Sequence, residues 1–107
     1  MYFPDHAARE TKEIAPGIHA RTFWGEHLML VLVSFEENAA VPNHHHPHEQ
    51  AGQVLEGTVE FEIGDEIKVL GPGDIYLIPG DVPHAARALN GTARVLDIFH
   101  PVREEYK

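Results

Sequence analysis

Glycine and proline cut this chain into short pieces, and that punctuation restricts its fold more than any other feature. From Pro16 onward they recur at Gly25, Pro42, Gly57, Gly64, Gly71-Pro72-Gly73, Pro79-Gly80 and Gly91. This is the rhythm of many short strands. The runs between are rich in β-branched and aromatic residues, and His27 to Phe35 (HLMLVLVSF) predicts a strand buried over most of its length. Thr58 to Ile63 (TVEFEI) alternates, so Val59, Phe61 and Ile63 share one face and Thr58, Glu60 and Glu62 the other. Gly64-Asp65 predicts a tight turn into Ile67 to Leu70, because glycine accepts the positive φ such turns need. After a corner at Gly71 to Asp74, further strands are predicted at Ile75 to Ile78, Val82 to Leu89 and Ala93 to Phe99. No segment carries a capped apolar stripe of helical period, so helix is limited to a short turn near either end. Strands without helical crossovers predict an all-β fold, a small antiparallel β-barrel or jelly roll, whose closure hides sheet edges.

A chain of 107 residues fits one domain. Its barrel core is expected at about 14–100, with an N-terminal extension, 1–13, and a C-terminal tail, 101–107. Eight Lys and Arg against seventeen Asp and Glu give a formal net charge of −9. That field repels phosphate-rich nucleic acid and anionic membrane surfaces, so neither is an expected partner. A small anionic substrate stays compatible, since a metal ion and an aimed arginine outweigh the mean field inside a pocket. Cysteine is absent, which removes disulfides, thiolate metal sites and a cysteine nucleophile together. Residues 1–9 lack the apolar core of a signal peptide and no span is long enough to cross a bilayer, so a cytoplasmic location is expected.

The segment Asn43 to Gln50 (NHHHPHEQ) holds four of the nine histidines. Two readings of such a run compete: a solvated loop and a metal site. Pro42 on one side and the strand-like Gln53 to Glu56 on the other place it inside the chain, unlike a terminal tag. On a strand, His44 and His46 project from one face and His45 from the other, so two imidazoles converge. Gln50 follows a bend at Pro47 and brings a carbonyl oxygen to the same point, with His84 arriving from a later strand. Three neutral imidazoles and an amide oxygen suit one divalent ion (Ni, Zn, Mn or Fe) and leave coordination positions open.

His44-x-His46-x-x-x-Gln50, followed by Gly57, resembles the first motif of the cupin superfamily, with Gln50 in place of the usual acidic ligand. Gly73-x5-Pro79-x4-His84 resembles the second. With their flanking strands the two cover about 14–99. Asn38 stands where a glycine is usual before the first motif, and Gly80-Asp81 replaces the usual Pro-x-Gly pattern of the second. The loss of the acidic ligand's charge leaves the Lewis acidity of an ion less damped.

The last strand carries Val95, Asp97 and Phe99 on one face, with Leu96 and Ile98 on the other. An acid among apolar residues is either an exposed side chain on a half-buried strand or a buried group whose pKa rises into the range for proton transfer. Asp97 is therefore the acid/base candidate. Val95 to Tyr106 (VLDIFHPVREEY) and His46 to Gln50 (HPHEQ) resemble the small cupins of pectin and alginate breakdown, which linearise 4,5-unsaturated uronates to 5-keto-4-deoxyuronate. The resemblance implies a pocket lined by Asp97, Phe99 and Arg103, with Asp97 and Arg103 catalytic. Arg103 is a planar fork for the uronate carboxylate, Phe99 a surface for the sugar and the ion a Lewis acid. Gln53 is either a substrate ligand or an ordinary strand residue facing solvent. His48 and Glu49 are expected to support the site or lie exposed, Arg21 and Arg87 to be solvated, and Trp24, Tyr76 and Phe35 to pack in the core or an interface. Two other functions compete: a dioxygenase of the quercetinase or acireductone type, which usually keeps Glu as third ligand, and a non-catalytic metabolite-binding cupin. The N-terminal extension and the resemblance together predict a homodimer.

Overall fold

The computed structural model describes residues 2–107. The described residues form eight strands: β1 (Lys12–Ala15), β2 (Ile18–Trp24), β3 (Met29–Phe35), β4 (Ala40–His44), β5 (Glu49–Ile63), β6 (Glu66–Leu70), β7 (Ile75–Ile78) and β8 (His84–His100). Among the described residues helix is confined to single 3-10 turns at His6–Ala8 and Glu104–Tyr106, one near each end as the sequence predicts. No helix among the described residues is long and apolar enough to cross a membrane.

All pairings are antiparallel, in the order β1-β2-β3-β8-β5-β6, with β4 added to β8 and β7 to β5. The two long strands organise everything else. The first half of β8 lies between β4 and the second half of β5, and its second half between β3 and the first half of β5. β5 likewise pairs β7 over Gln50–Gln53 and β6 over Val59–Ile63. The sheet folds over on itself where the register shifts around Glu56 and Thr58, opposite Asn90 and Gly91. Gly57 sits at that bend with φ +81, and a Cβ there would meet the Thr92 carbonyl oxygen at 2.4 Å, so only glycine fits. β1 and β6 stand at the ends of the ladder. The result is a folded-over jelly roll, not a closed barrel.

Several boundaries move accordingly. Val82 to Leu89 and Ala93 to Phe99 belong to one strand, because Asn90 (φ 59) and Gly91 (φ 136) bend β8 without ending its ladder. β3 begins at Met29, since Gly25 to Leu28 form the turn that leads into it. Residues 101–107 are more than a tail: Arg103 is buried and Tyr106 packs against the core. The inward faces of β2, β3, β5, β7 and β8 supply that core, including Ile18, Met29, Val31, Val54, Val59, Ile78 and Val95. Asp97 and Phe99 continue the inward row of Val95, so one strand face leads from packed core to candidate site.

Candidate metal centre

His44, His46 and His84 each bring a ring nitrogen within 4.8 Å of the other two. They arrive by different routes. His44 ends β4 and His84 begins β8, and the two are directly paired across that ladder. His46 lies beyond the strand, so loop geometry, not strand alternation, aims it inward. The turn before β8 holds that loop: Asp81 N donates to the His46 carbonyl oxygen at 2.7 Å, and a Cβ on Gly80 would meet the Pro47 carbonyl oxygen at 2.5 Å. His45 points away and is exposed.

Each imidazole is oriented by a backbone carbonyl. The Nδ1 atoms of His44, His46 and His84 lie 2.9, 3.0 and 2.8 Å from the carbonyl oxygens of Pro42, His48 and Val82. Carbonyls only accept, so Nδ1 carries the proton in each ring and Nε2 presents a lone pair. The Nε2 of His84 is buried without any partner, an arrangement that costs free energy in an empty protein and suits a metal ligand. Burial pushes the imidazole of His46 down to about 4, with the charges of Arg103 and His84 adding to the shift, and pushes that of His84 below its ordinary value. Both are therefore neutral, ready donors near neutral pH.

Gln50, buried on β5, places Oε1 3.1 Å from His46 Nε2. Two acceptors facing each other repel unless a cation lies between or beside them. The separation is close to the ~3 Å between neighbouring ligands at right angles that each sit about 2.1 Å from one ion. Three imidazoles and an amide oxygen fit a divalent first-row metal.

Asp97 lies behind Gln50. It is 9% exposed and accepts a hydrogen bond from the Tyr76 hydroxyl at 2.5 Å, with the Gln50 amide close enough to lower its pKa. Burial dominates and raises its carboxyl to about 6, against the lowering effect of Tyr76, Gln50 and Arg103. Tyr76 reaches it through a gap in the sheet. Gly52 pairs Asp97 on one side and Tyr76 on the other, and a Cβ on Gly52 would stand 2.1 Å from the tyrosine ring. Tyr76 is thus part of the site and not simply the packing residue expected from sequence. Phe35 is buried as expected, whereas Trp24 is 40% exposed.

His44, His84, Gln50, Asp97, Phe99 and Arg103 all line one cavity that is partly open to solvent. Arg103 is buried with its guanidinium 5.1 Å from the Phe99 ring centre and 3.9 Å from that of Tyr106. Its Nε and Nη2 donate to the same oxygen of Glu105, at 3.0 and 2.8 Å. Gln53 is on the opposite face of β5, where its amide donates to the Gly73 carbonyl oxygen at 3.1 Å, so it does not line the cavity. His48 serves through its carbonyl on His46, and Glu49 is exposed. Arg87 is exposed beside Glu60, and Arg21 lies half-buried outside the cavity.

A family model described as Cupin domain matches residues 31–99, well over half of the chain. The chain is a cupin. Among solved structures, this cupin is similar to an RmlC-like cupin from Shewanella frigidimarina NCIMB 400, at 29% identity over 100% of this chain and 96% of that one, TM-score 0.93. It is also similar to KdgF from Halomonas sp., at 32% identity over 100% and 98% of the two chains, TM-score 0.90. The polyketide cyclase RemF from Streptomyces resistomycificus shares the fold, at 22% identity over 97% and 82%, TM-score 0.85. No curated protein matches the chain by sequence. Two of the three departures from the usual cupin motifs fall at left-handed backbone: Asn38 has φ 62 and Asp81 φ 66, and these are the residue types that tolerate it best after glycine.

Tyr76, expected from sequence only to pack, and Tyr106, given no role there, are the polar lining residues that the sequence does not assign to the site. A signal for Tyr76 exists in Gly52, a lone glycine inside a strand, which marks a close approach. Tyr106 lies in a terminal string whose packing no periodicity reveals.

Proposed function

We propose that this cupin is a metal-dependent enzyme that linearises 4,5-unsaturated uronates to 5-keto-4-deoxyuronate. The observation that carries this is Asp97: a buried carboxyl raised to about 6, in one cavity with a buried arginine and with His44 and His84, two of the three convergent imidazoles. The resemblance of Val95 to Tyr106 to the uronate-linearising cupins and the full-length likeness to KdgF point the same way.

His44, His46, His84 and Gln50 would hold one divalent ion, which supplies Lewis acidity toward a sugar oxygen. Arg103 binds the carboxylate of the sugar through charge-assisted hydrogen bonds, after displacing Glu105. Phe99 stacks beneath Arg103 and closes the apolar side of the cavity. Asp97 takes the proton of the anomeric hydroxyl as the ring C–O bond breaks and returns a proton to carbon 4 as the enol becomes a ketone. Substrate and product are isomers, so no oxidant is needed. A group that ionises near 6 does both steps near neutral pH.

The test is ultraviolet loss of the conjugated enol of unsaturated galacturonate and mannuronate, under nitrogen, with metal-loaded wild type, His84→Ala and Asp97→Ala. Metal-dependent decay above the spontaneous rate, abolished in both variants, is expected. Decay no faster than the spontaneous rate with every metal would sink the proposal, and oxygen uptake would then test for a dioxygenase.

A further inference from the structure

The structure carries a second use for Asp97, separate from proton transfer. An amide side chain has two ends of nearly the same shape and opposite chemistry. If Gln50 turned its NH2 toward His46, that group would donate to the lone pair of Nε2 and cap the histidine. The amide would then obstruct the site instead of completing it. Something must therefore fix its orientation.

We infer that Tyr76, Gly52 and Asp97 form a relay that aims the Gln50 amide at the histidines, making Tyr76 a positioning residue for the metal centre. Asp97 accepts a hydrogen bond from Tyr76, lines the same cavity as Gln50, and has its pKa held down by the neighbouring Gln50 amide. A carboxylate that accepts from the Gln50 NH2 leaves Oε1 on the other side, where it stands 3.1 Å from His46 Nε2. Tyr76 in turn holds the carboxylate, and Gly52 is the missing side chain through which the phenol reaches it. The three lie in one row across β7, β5 and β8. Tyr76 also packs on Phe61, ring centres 4.1 Å apart, so its ring is fixed before its hydroxyl is engaged. Groups that orient a ligand in this way are commonly worth 10–100-fold in metal affinity.

A glutamate has oxygen at both ends and needs no aiming, which gives the test its control. The affinity of the metal-free protein for Ni2+ is measured by chelator competition in wild type, Tyr76→Phe, Gln50→Glu and the double variant. Tyr76→Phe is expected to weaken binding about tenfold with Gln50 present and less than about twofold in the Gln50→Glu background. A loss of equal size in both backgrounds would assign Tyr76 a general structural role and overturn the inference, as would no loss beside Gln50. Should Tyr76→Phe fail to fold, Asp97→Asn carries the same test. Its amide invites Gln50 to turn around, so binding must weaken at least about tenfold beside Gln50, and the loss must shrink with Gln50→Glu. Metal binding involves no sugar, so a protein inactive on uronates with this coupling intact refutes the proposed function and leaves the relay standing.

Discussion

Asp97 gives the site a pH signature that can be read without any substrate. Its carboxyl is raised from 3.8 to about 6, chiefly by burial, and two units of pKa correspond to about 3 kcal/mol. Between those two values the folded protein keeps a proton that the unfolded chain has released. Stability therefore falls by about 3 kcal/mol as pH rises through that window. His46 acts in the opposite sense. Its imidazole is lowered from 6.5 to about 4, so over nearly the same range the unfolded chain binds a proton that the folded one refuses. Its contribution rises with pH by about 3 kcal/mol, and the two slopes nearly cancel.

Asp97→Asn removes one slope and uncovers the other. Urea unfolding of chelator-treated wild type and variant from pH 4 to 8 measures the difference directly. Hydrogen bonds lost in the variant shift its curve by an amount that does not vary with pH, so only the change across the window matters. The stability of Asp97→Asn relative to wild type is expected to rise by about 2.4 kcal/mol from pH 4 to 7. Parallel curves, within about 1 kcal/mol, would mean that Asp97 ionises at an ordinary value in the folded protein. Its assignment as the proton carrier would then lose its physical basis.

Gln53→Ala is expected to leave KM and kcat on unsaturated uronates unchanged and to cost about 1 kcal/mol of stability through the lost bond to Gly73; a raised KM would return Gln53 to the substrate. Glu105→Gln frees the Arg103 fork, so KM for the anionic sugar should fall by up to roughly fivefold at constant kcat. An unchanged KM in steady-state kinetics would show that the carboxylate binds elsewhere. Chelation of protein held at a hundred times the metal Kd should lower the unfolding free energy by about 2.7 kcal/mol in urea titration. No change on chelation would refute a metal bound by the folded state.

Much of this site could be read from sequence because its parts are local or periodic. His44, His46 and Gln50 fall within seven residues, and the inward direction of Val95, Asp97 and Phe99 follows from the period of a strand alone. The route taken by His46 did not follow, because strand alternation ends at His44 and the distant turn at Gly80-Asp81 fixes the next step. Nor did the outward face of Gln53, which depends on where the alternation of β5 is anchored. That anchor is Gln50 itself: once it faces inward, Gly52 and Val54 must follow, and Gln53 cannot.

The residues hardest to find are those whose meaning lies in register. Gly64, Gly57 and Gly52 look alike in the chain, and each is used differently. Gly64, at φ 59, turns β5 into β6, as expected from the sequence. Gly57 bends a strand that continues on both sides, and the same is true of Gly91 in β8, which is why punctuation there suggested breaks that do not exist. Gly52 does neither. It lies in regular pairing with neighbours on both sides, and its role is to be empty, so that a tyrosine from one strand can hold an acid on another. A turn can be recognised from the residues beside it, whereas an opening of this kind is defined by the residues across from it. Tyr76 is hidden for the same reason: in Ile75 to Ile78 alternation gives its direction inward, but only the register brings Gly52 and Asp97 into its path.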